Sequence, residues 1–221
     1  FHYNQVKTCL KNNLNVLCEK PFILGKDNLR LAEELIKISK KKNKILSVNT
    51  QWPFVLDEIK SFIGVEPIDN FYFSMEEGLK GIGILTDGLP HANSMLIKLL
   101  GEGIIKNINY LEKDEEKIIL EFDYIYANLK CKVKYEIKFK KDRPRTLEFS
   151  INNKIFTKKF LSDNSFALKF NNQFIKINDP FKMSLKNFID STANKSKPFI
   201  ESQEIIYNLY LQNQILKKYY S

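Results

Sequence analysis

The sequence predicts a mixed fold in two parts, an α/β part with a parallel sheet followed by an α+β part built on a mainly antiparallel sheet. Up to about Gln51, helices alternate with short, continuously apolar strands, which is typical of a parallel sheet covered on both faces. After Trp52 comes a long series of strands in which apolar and polar residues alternate, which indicates antiparallel pairing with one solvated face. The 221 residues, 43% of them hydrophobic, hold enough apolar material for one or two domains.

The first part alternates helix and strand. Asp27 stands where an N-cap is expected, and Leu31, Leu35 and Ile38 follow it at helical spacing. The predicted elements are a helix at residues 3–11, a strand at 16–18, a helix from Asp27 to about residue 42, and a strand at 44–49.

The second part is richer in strands. Its predicted elements are a helix at residues 54–63, a strand at 70–75, a helix beginning near Asp87, several strands between residues 103 and 177, and closing helices at 181–194 and 202–219. The stretches "KDEEK", "KKDRPR", "NNK", "SDN" and "NNQ" have the composition of hairpin turns, so each is predicted to join neighbouring strands.

The basic residues are expected to lie on solvated faces. Lys and Arg outnumber Asp and Glu by 35 to 26, giving a net charge of +9. Such a charge indicates nucleic-acid binding only when it is clustered on one face. In "LKCKVKYEIKFKK" lysines alternate with apolar residues, which predicts one core face and one lysine-covered face, and no nucleic-acid motif accompanies them. A nucleic-acid binder therefore remains a minor alternative.

The cysteines and the hydropathy pattern limit the class further. Cys9, Cys18 and Cys131 are odd in number and lack metal-type spacing, which indicates a reducing cytoplasm and no metal site. Cys18 and Cys131 are expected to be buried as small apolar side chains. No apolar run approaches the ~18 residues that a membrane helix needs, so no membrane partner is expected.

The stretch "NVLCEKPF", residues 15–22, places charges where a buried strand ends. Pro21 disfavours a helical backbone at Lys20, so Glu19 and Lys20 are expected at the carboxyl end of a parallel strand. Ligands of open α/β sheets bind at that edge. The alternative is a strand-to-helix turn that carries two solvated charges.

A second candidate cluster lies in "GILTDGLPHANSML". Asp87 and His91 are four residues apart, so on a helix that begins near Asp87 they share a face, and Pro90 is tolerated in a first turn. A Gly-containing turn between the two parts precedes them, and clefts between domains are favoured ligand sites. The alternative is that Asp87 caps the helix and His91 lies on its surface.

These motifs together carry a family resemblance. "HYNQVKTCLKNNLNVLCEKPF" resembles the glucose–fructose oxidoreductase, inositol dehydrogenase and MocA (Gfo/Idh/MocA) family of nicotinamide-dependent oxidoreductases, in which a histidine, a helix and a "GKHVLCEKP" strand-turn close the dinucleotide-binding domain. "TDGLPHANSML" is similar to the D-x-x-x-H segment of that family, and residues 180–221 are similar to its closing pair of helices. The resemblance implies a C-terminal remnant of a Rossmann parallel sheet in residues 1–52. It implies an open-sheet domain for substrate and oligomerisation, with helices on one face, in residues 53–221.

The resemblance also implies roles for single residues. Glu19 would contact the nicotinamide-side ribose of NAD or NADP, and Lys20, before a cis Pro21, would lie between nicotinamide and substrate. Asp87 would hold the substrate and His91, and His91 would act as general base or acid. The residue types suit the chemistry, because oxidation of an alcohol needs a proton acceptor beside the carbon that gives up hydride. A lysine ammonium stabilises the developing alkoxide.

The sequence departs from the family pattern at two places. No G-x-G-x-x-G follows a strand, so we expect the main cofactor-binding half to be absent from this chain and the chain alone to bind dinucleotides weakly. "NTQWPF" stands where the family often has an arginine-containing segment. Asn49 and Gln51 in that stretch are candidate substrate-pocket residues, although a purely structural turn explains them equally well.

The functional expectation is a fragment of a cytoplasmic NAD(P)-dependent oxidoreductase. It would transfer a hydride between the nicotinamide and a sugar, cyclitol or related polyol or carbonyl compound. A small-molecule substrate is expected, with possible homo-oligomers and with no nucleic-acid, membrane or metal partner. The alternative is a non-catalytic, degenerate relative that serves binding or assembly.

Overall fold

The predicted fold class is confirmed by a computed structural model, which describes residues 2–161 and 165–221. In this described part, the strands form a two-stranded parallel sheet and an eight-stranded, mostly antiparallel sheet. Phe1 and the predicted "SDN" turn at residues 162–164 lie outside the described residues.

The first part follows the predicted order of elements. They are α1 (His2–Lys11), β1 (Val16–Glu19), α2 (Asn28–Lys41) and β2 (Leu46–Asn49). β1 and β2 pair in parallel, so that Glu19 lies opposite Asn49 at their carboxyl ends. Leu35 of α2 is fully buried in the core of this part. Asp27 is the N-cap residue of α2, as predicted, but its side chain makes no capping hydrogen bond and lies 3.5 Å from the guanidinium of Arg30.

The second part is dominated by the large sheet. It begins with a short 3-10 turn (Trp52–Val55) and α3 (Leu56–Ile63). The remaining elements are β3 (Asn70–Glu77), α4 (Ile82–Leu100), β4 (Ile104–Lys113), β5 (Lys117–Tyr126), β6 (Leu129–Phe139), β7 (Leu147–Ile151), β8 (Lys154–Phe160), β9 (Phe166–Phe170), β10 (Gln173–Ile177), α5 (Pro180–Asn194) and α6 (Ser202–Tyr219). The strand order is β10-β9-β8-β7-β3-β6-β5-β4.

The position of β3 corrects one prediction. "KKDRPR" joins β6 to β7, but these strands are not neighbours, because β3 lies between them. β3 pairs in parallel with β6 and antiparallel with β7. Phe71 and Phe73 of β3 are almost completely buried, and a strand this apolar is most stable when both of its edges are paired. The stretch is therefore a crossing loop over the end of β3 and not a hairpin turn.

The start of α4 corrects a second prediction. The helix begins at Ile82, after an N-cap at Gly81, and not near Asp87. Pro90 therefore lies inside the helix and not in its first turn. Gly88 lies inside α4, at a point where the helix packs tightly on the sheet. A Cβ at this position would lie 2.7 Å from Cδ1 of Ile137, so only a glycine fits without a shift. The glycines of this stretch serve packing and a helix start, so they do not form the expected turn.

The alternating pattern in β6 is confirmed. The buried residues of this strand are Cys131, Val133, Tyr135 and Ile137. The lysines that alternate with them lie on the opposite face. Some of those lysines form ion pairs with acidic residues of the same face, such as Lys130 with Asp123 at 2.9 Å. Cys18 and Cys131 are buried, as predicted, and both thiols are free.

Helices α4 and α6 connect the two parts. Ser94 of α4 and Thr50, directly after β2, share a hydrogen bond of 2.8 Å between their hydroxyl groups. Asn213 of α6 exchanges two side-chain hydrogen bonds with Asn28 at the start of α2, at 2.9 and 2.8 Å. These hydrogen bonds hold the end of β2 against α4 and the start of α2 against α6. Within the described ranges, no helix combines the length and the apolar character needed to cross a bilayer.

Candidate functional site

The carboxyl ends of β1, β2 and β3 and the middle of α4 open onto one cleft. The cleft has a volume of about 970 Å³. The predicted site residues that line it are Glu19, Lys20, Asn49, Gln51, Asp87 and His91. The structure therefore brings together residues that are widely separated in the sequence, while Pro21 shapes the turn beside the cleft without lining it.

Lys20 is the centre of an ion-pair cluster. Its Nζ lies 2.7 Å from Oδ1 of Asp87 and 3.3 Å from Oε1 of Glu77, and it donates a hydrogen bond of 3.1 Å to the backbone carbonyl of Asp87. Only 15% of the Lys20 side chain is exposed, so the alternative of a solvated charge is wrong for this residue. The Lys20–Pro21 peptide bond is cis, in agreement with the family resemblance.

Asp87 and His91 lie one turn apart on the same face of α4. Asp87 is not a helix cap, because the helix begins at Ile82, and His91 is 2% exposed and so does not lie on the surface. Both structural alternatives for this pair are therefore wrong. The described polar contacts of the Asp87 carboxylate are with Lys20 and Glu77 and not with His91.

His91 is held in its neutral form. Burial lowers the pKa of its imidazole well below the usual value, and the positive charge of Lys20 lowers this pKa further. Its Nδ1 is buried and has no hydrogen-bond partner among the described residues. A neutral imidazole with an unsatisfied ring nitrogen can accept a proton, as a general base does.

Glu77 is a site residue that the sequence interpretation missed. It is 5% exposed at the end of β3 and lies beside Lys20. Burial raises the pKa of its carboxyl to about 7; Lys20 opposes this rise and Asp87 adds to it. The strand pattern could have revealed Glu77, because alternation puts it on the same face of β3 as the buried residues Phe71, Phe73 and Met75. The prediction ended the strand at Met75 and so did not place Glu77 on the buried face.

Glu19 and Asn49 form the mouth of the cleft on the parallel sheet. Asn49 donates a hydrogen bond of 2.6 Å from Nδ2 to Oε1 of Glu19, which is itself exposed. Oδ1 of Asn49 and Nε1 of the neighbouring Trp52 are buried without a hydrogen-bond partner in the part of the chain that the structure describes. Buried polar atoms are usually satisfied, so unsatisfied ones at the edge of a cleft are typical of a ligand site. Gln51, half-buried, lines the same wall.

One part of the cleft could hold a cofactor. The exposed Glu19 carboxylate can accept hydrogen bonds from hydroxyl groups such as those of a ribose, and Lys20 lies next to it. The 221 residues contain no G-x-G-x-x-G, the turn that cradles a pyrophosphate in this kind of fold. Among the described residues, no group of three or more His, Cys, Asp or Glu could hold a metal ion.

Comparisons with solved structures show which known proteins share the fold of this chain. The chain has the fold of a dehydrogenase (MviM) from Clostridium difficile, at 20% sequence identity and a TM-score of 0.70 over 98% of this chain and 75% of the other. It has the same fold as the UDP-N-acetylglucosamine 3-dehydrogenase GnnA from Acidithiobacillus ferrooxidans, at 13% identity and a TM-score of 0.71 over 97% of this chain and 73% of the other. A third structure, an oxidoreductase from Agrobacterium radiobacter in complex with NAD⁺, L-tartaric acid and magnesium, matches at 10% identity and a TM-score of 0.66 over 100% of this chain and 75% of the other.

A family model also matches the first part of the chain. Residues 1–50 match the GFO_IDH_MocA model, described as "Oxidoreductase family, NAD-binding Rossmann fold". This match confirms the predicted resemblance to the Gfo/Idh/MocA oxidoreductases. No curated protein matches the chain.

Proposed function

We propose that this chain is part of an NAD(P)-dependent oxidoreductase that transfers a hydride between a nicotinamide and a sugar, cyclitol or related polyol or carbonyl compound. The observation that carries the proposal is the cluster in which Lys20 bridges Asp87 and Glu77 in the same cleft as the neutral His91. The match of residues 1–50 to an NAD-binding oxidoreductase family supports the same function.

The cofactor would meet the chain at the end of β1. Glu19 would bind the nicotinamide-side ribose, and the turn of Lys20 and Pro21 would direct the nicotinamide toward α4. When bound, the nicotinamide supplies the hydride acceptor or donor. Either NAD or NADP suits these residues. In this proposal residues 1–52 are part of the dinucleotide-binding domain, and residues 53–221 form the substrate and oligomerisation domain.

The proton would be handled by His91 and the ion-pair cluster. The imidazole of His91 is neutral because of burial. It can therefore take the hydroxyl proton of an alcohol as the carbon loses hydride, and return that proton in the reverse reaction. The Lys20 ammonium would stabilise negative charge on the same oxygen. Asp87 and Glu77 would hold Lys20 in place, since both carboxylates contact its Nζ. Asn49 and Gln51 would contact the substrate hydroxyls.

The test is hydride transfer by the full gene product with NAD or NADP and a panel of polyols, followed by nicotinamide absorbance. Lys20→Met and His91→Asn should each lower kcat/KM by about 10²–10⁴-fold, the usual contribution of a general acid–base group. The exposed Lys37→Met of α2 serves as the matched control and should retain activity. Thermal unfolding of each variant would show that the protein remains folded.

The alternative, a non-catalytic relative for binding or assembly, predicts the opposite result. Hydride transfer would be absent with every polyol, and Lys20→Met would change no ligand affinity. The arrangement of Lys20, Glu77 and Asp87 weighs against it, because burying a lysine with two carboxylates costs desolvation energy that a purely structural turn does not need. A cytoplasmic location, suggested by the free cysteines, completes the proposal.

A further inference from the structure

A second group of basic side chains lines the cleft beyond the ion-pair cluster. Arg143 and Arg145 come from the loop that crosses the end of β3, and Lys158 comes from β8. None of them belongs to the family motifs noted in the sequence. Their positions follow from the strand order, because β7 and β8 lie directly beside β3.

Lys158 is held in the cleft by aromatic rings. Its Nζ lies 5.2 Å from the ring centroid of Trp52 and 5.1 Å from that of Phe160. Burial lowers the pKa of this ammonium; Glu76 and Glu77 oppose the shift and Arg143 adds to it. Two positive groups thus face the same space close to one another, at an energetic cost that an anion would offset.

The carboxylates of the cleft are already engaged elsewhere. Glu77 and Asp87 contact Lys20, Glu76 contacts Lys140 at 3.2 Å, and Asp179 accepts a hydrogen bond from the backbone N–H of Phe181 at 3.0 Å. Glu19 accepts from Asn49.

The two arginines differ in their contacts. Arg145 donates hydrogen bonds to the carbonyls of Lys140 and Lys141 and lies 3.9 Å from Glu77, so its guanidinium is already engaged. In contrast, neither Arg143 nor Lys158 has an ion-pair partner within the described ranges. The described part of the cleft therefore contains two positive charges that have no carboxylate in ion-pair contact.

Lys158 lies across the sheet from the ion-pair cluster. β8 is separated from β3 by β7, and neighbouring strands are about 4.8 Å apart, so Lys158 lies roughly 10 Å across the sheet from the strand that carries Glu77. A group bound there would belong to the remote end of a substrate whose reacting carbon lies near Lys20 and His91.

We propose that Arg143 and Lys158 bind a negatively charged group of the substrate, a phosphate or a carboxylate, while the rings of Trp52 and Phe160 pack against its carbon skeleton. The substrate class is then an acidic or phosphorylated polyol and not a neutral sugar. This inference rests on the proposed function, since it assigns the substrate of the same cleft.

Trp52 provides a direct readout, because it is the single tryptophan of the chain and lies under Lys158. Its fluorescence can be titrated at low ionic strength, without nicotinamide, with D-glucose 6-phosphate, D-glucuronate and D-glucose. We expect a saturable change with at least one of the two anions and none with D-glucose at the same concentrations. The anion that binds more tightly distinguishes a phosphate site from a carboxylate site.

Single substitutions test whether Arg143 and Lys158 are the residues that bind the anion. Lys158→Gln and Arg143→Gln should each weaken binding of the anion by about tenfold or more, since each removes a charge-assisted contact. Lys159→Gln is the matched control, because this neighbouring residue is exposed and does not line the cleft, and it should leave the affinity unchanged.

Three results would overturn the inference: no saturable response to either anion, an equal response to D-glucose, or unchanged anion affinity in both Lys158→Gln and Arg143→Gln. Failure of the proposed function would be seen in a different measurement, that of hydride transfer. In that case Lys20→Met and His91→Asn would not affect hydride transfer, whatever the fluorescence titration shows.

Discussion

The ion-pair cluster places three charged side chains in a mostly buried part of the cleft. Lys20 provides one positive charge for the two carboxyl groups of Glu77 and Asp87, and all three side chains are less than 20% exposed. Burial raises the pKa of the Glu77 carboxyl to about 7; Lys20 opposes this rise and Asp87 adds to it. The protonation state of the cluster, and with it the charge felt by a substrate, should therefore change near neutral pH.

Loss of the central lysine should destabilise the fold. Lys20→Met would leave two buried carboxyl groups without their counter-charge, and we expect the free energy of unfolding to fall by roughly 2–3 kcal/mol. This is less than the full cost of breaking a buried pair, since Lys20 and Asp87 keep some solvent contact. Urea unfolding at pH 7 measures the change.

A double variant is the control for that prediction. Lys20→Met combined with Glu77→Gln should be more stable than the sum of the single effects predicts, because the uncompensated charge is removed together with its partner. If the effects of the two substitutions on the free energy of unfolding were strictly additive, Lys20 and Glu77 would not be energetically coupled and the prediction would be wrong.

Glu77 should make stability fall as pH rises. Its pKa is about 7 in the folded protein, above the usual 4.5 of the unfolded chain, so the folded state binds more protons between these values. The stabilising effect of this proton is complete below pH 4.5 and is lost by pH 7, an effect on the order of 3 kcal/mol. Urea unfolding of the wild type and of Glu77→Gln from pH 4.5 to 8 gives the difference.

His91 contributes with the opposite sign. Its folded pKa lies below the usual 6.5, so it stabilises the protein above pH 6.5 and this contribution is lost as pH falls. The comparison with Glu77→Gln isolates the carboxyl, because His91 is present in both proteins. Parallel pH profiles of the two proteins would show that Glu77 does not titrate in this range.

At the scale of secondary-structure elements, the contact between α4 and β6 depends on Gly88. An alanine there would place its Cβ 2.7 Å from Cδ1 of the fully buried Ile137. We expect Gly88→Ala to destabilise the protein by about 1–3 kcal/mol through overpacking, despite the better helix propensity of alanine. Thermal or urea unfolding tests this, and Gly88→Ala should cost less in an Ile137→Ala background, which removes the clash.

Elements defined by local pattern were predicted well from the sequence. The alternation in β6, the helical spacing in α2 and the charged turn after β1 depend on neighbours within a few residues, so their positions follow from the sequence alone. The start of α4 and the true neighbours of β3 depend on contacts with residues far along the chain. The glycines around Asp87 resemble a turn in the sequence, whereas the structure places Gly88 inside α4 against Ile137.

The candidate site shows the same division. Lys20, Asp87 and His91 were recognised because short motifs surround them, and the cleft does contain them. Glu77 was missed because it belongs to no motif, and its importance comes from the position of β3 beside Lys20. Arg143 and Lys158 lie on elements that only the strand order brings to the cleft.

At the scale of the whole molecule, the chain should bind dinucleotides weakly by itself. It offers Glu19 and Lys20 to the nicotinamide side, but these 221 residues include no glycine-rich turn for the pyrophosphate. Isothermal titration of the 221-residue chain with NAD and NADP is expected to show no micromolar binding. Micromolar affinity for either nucleotide would mean that other residues of the chain hold the phosphates.

The central position of β3 also has a consequence for biosynthesis. Both strands that flank it, β6 and β7, leave the ribosome well after it does, so both of its edges remain unpaired while the intervening segment is made. Until β6 and β7 have been made, the two edges of β3 lack their partner strands. The segment that carries Phe71, Phe73 and Met75 is then open to strand pairing with other chains, a route to aggregation that the completed sheet closes.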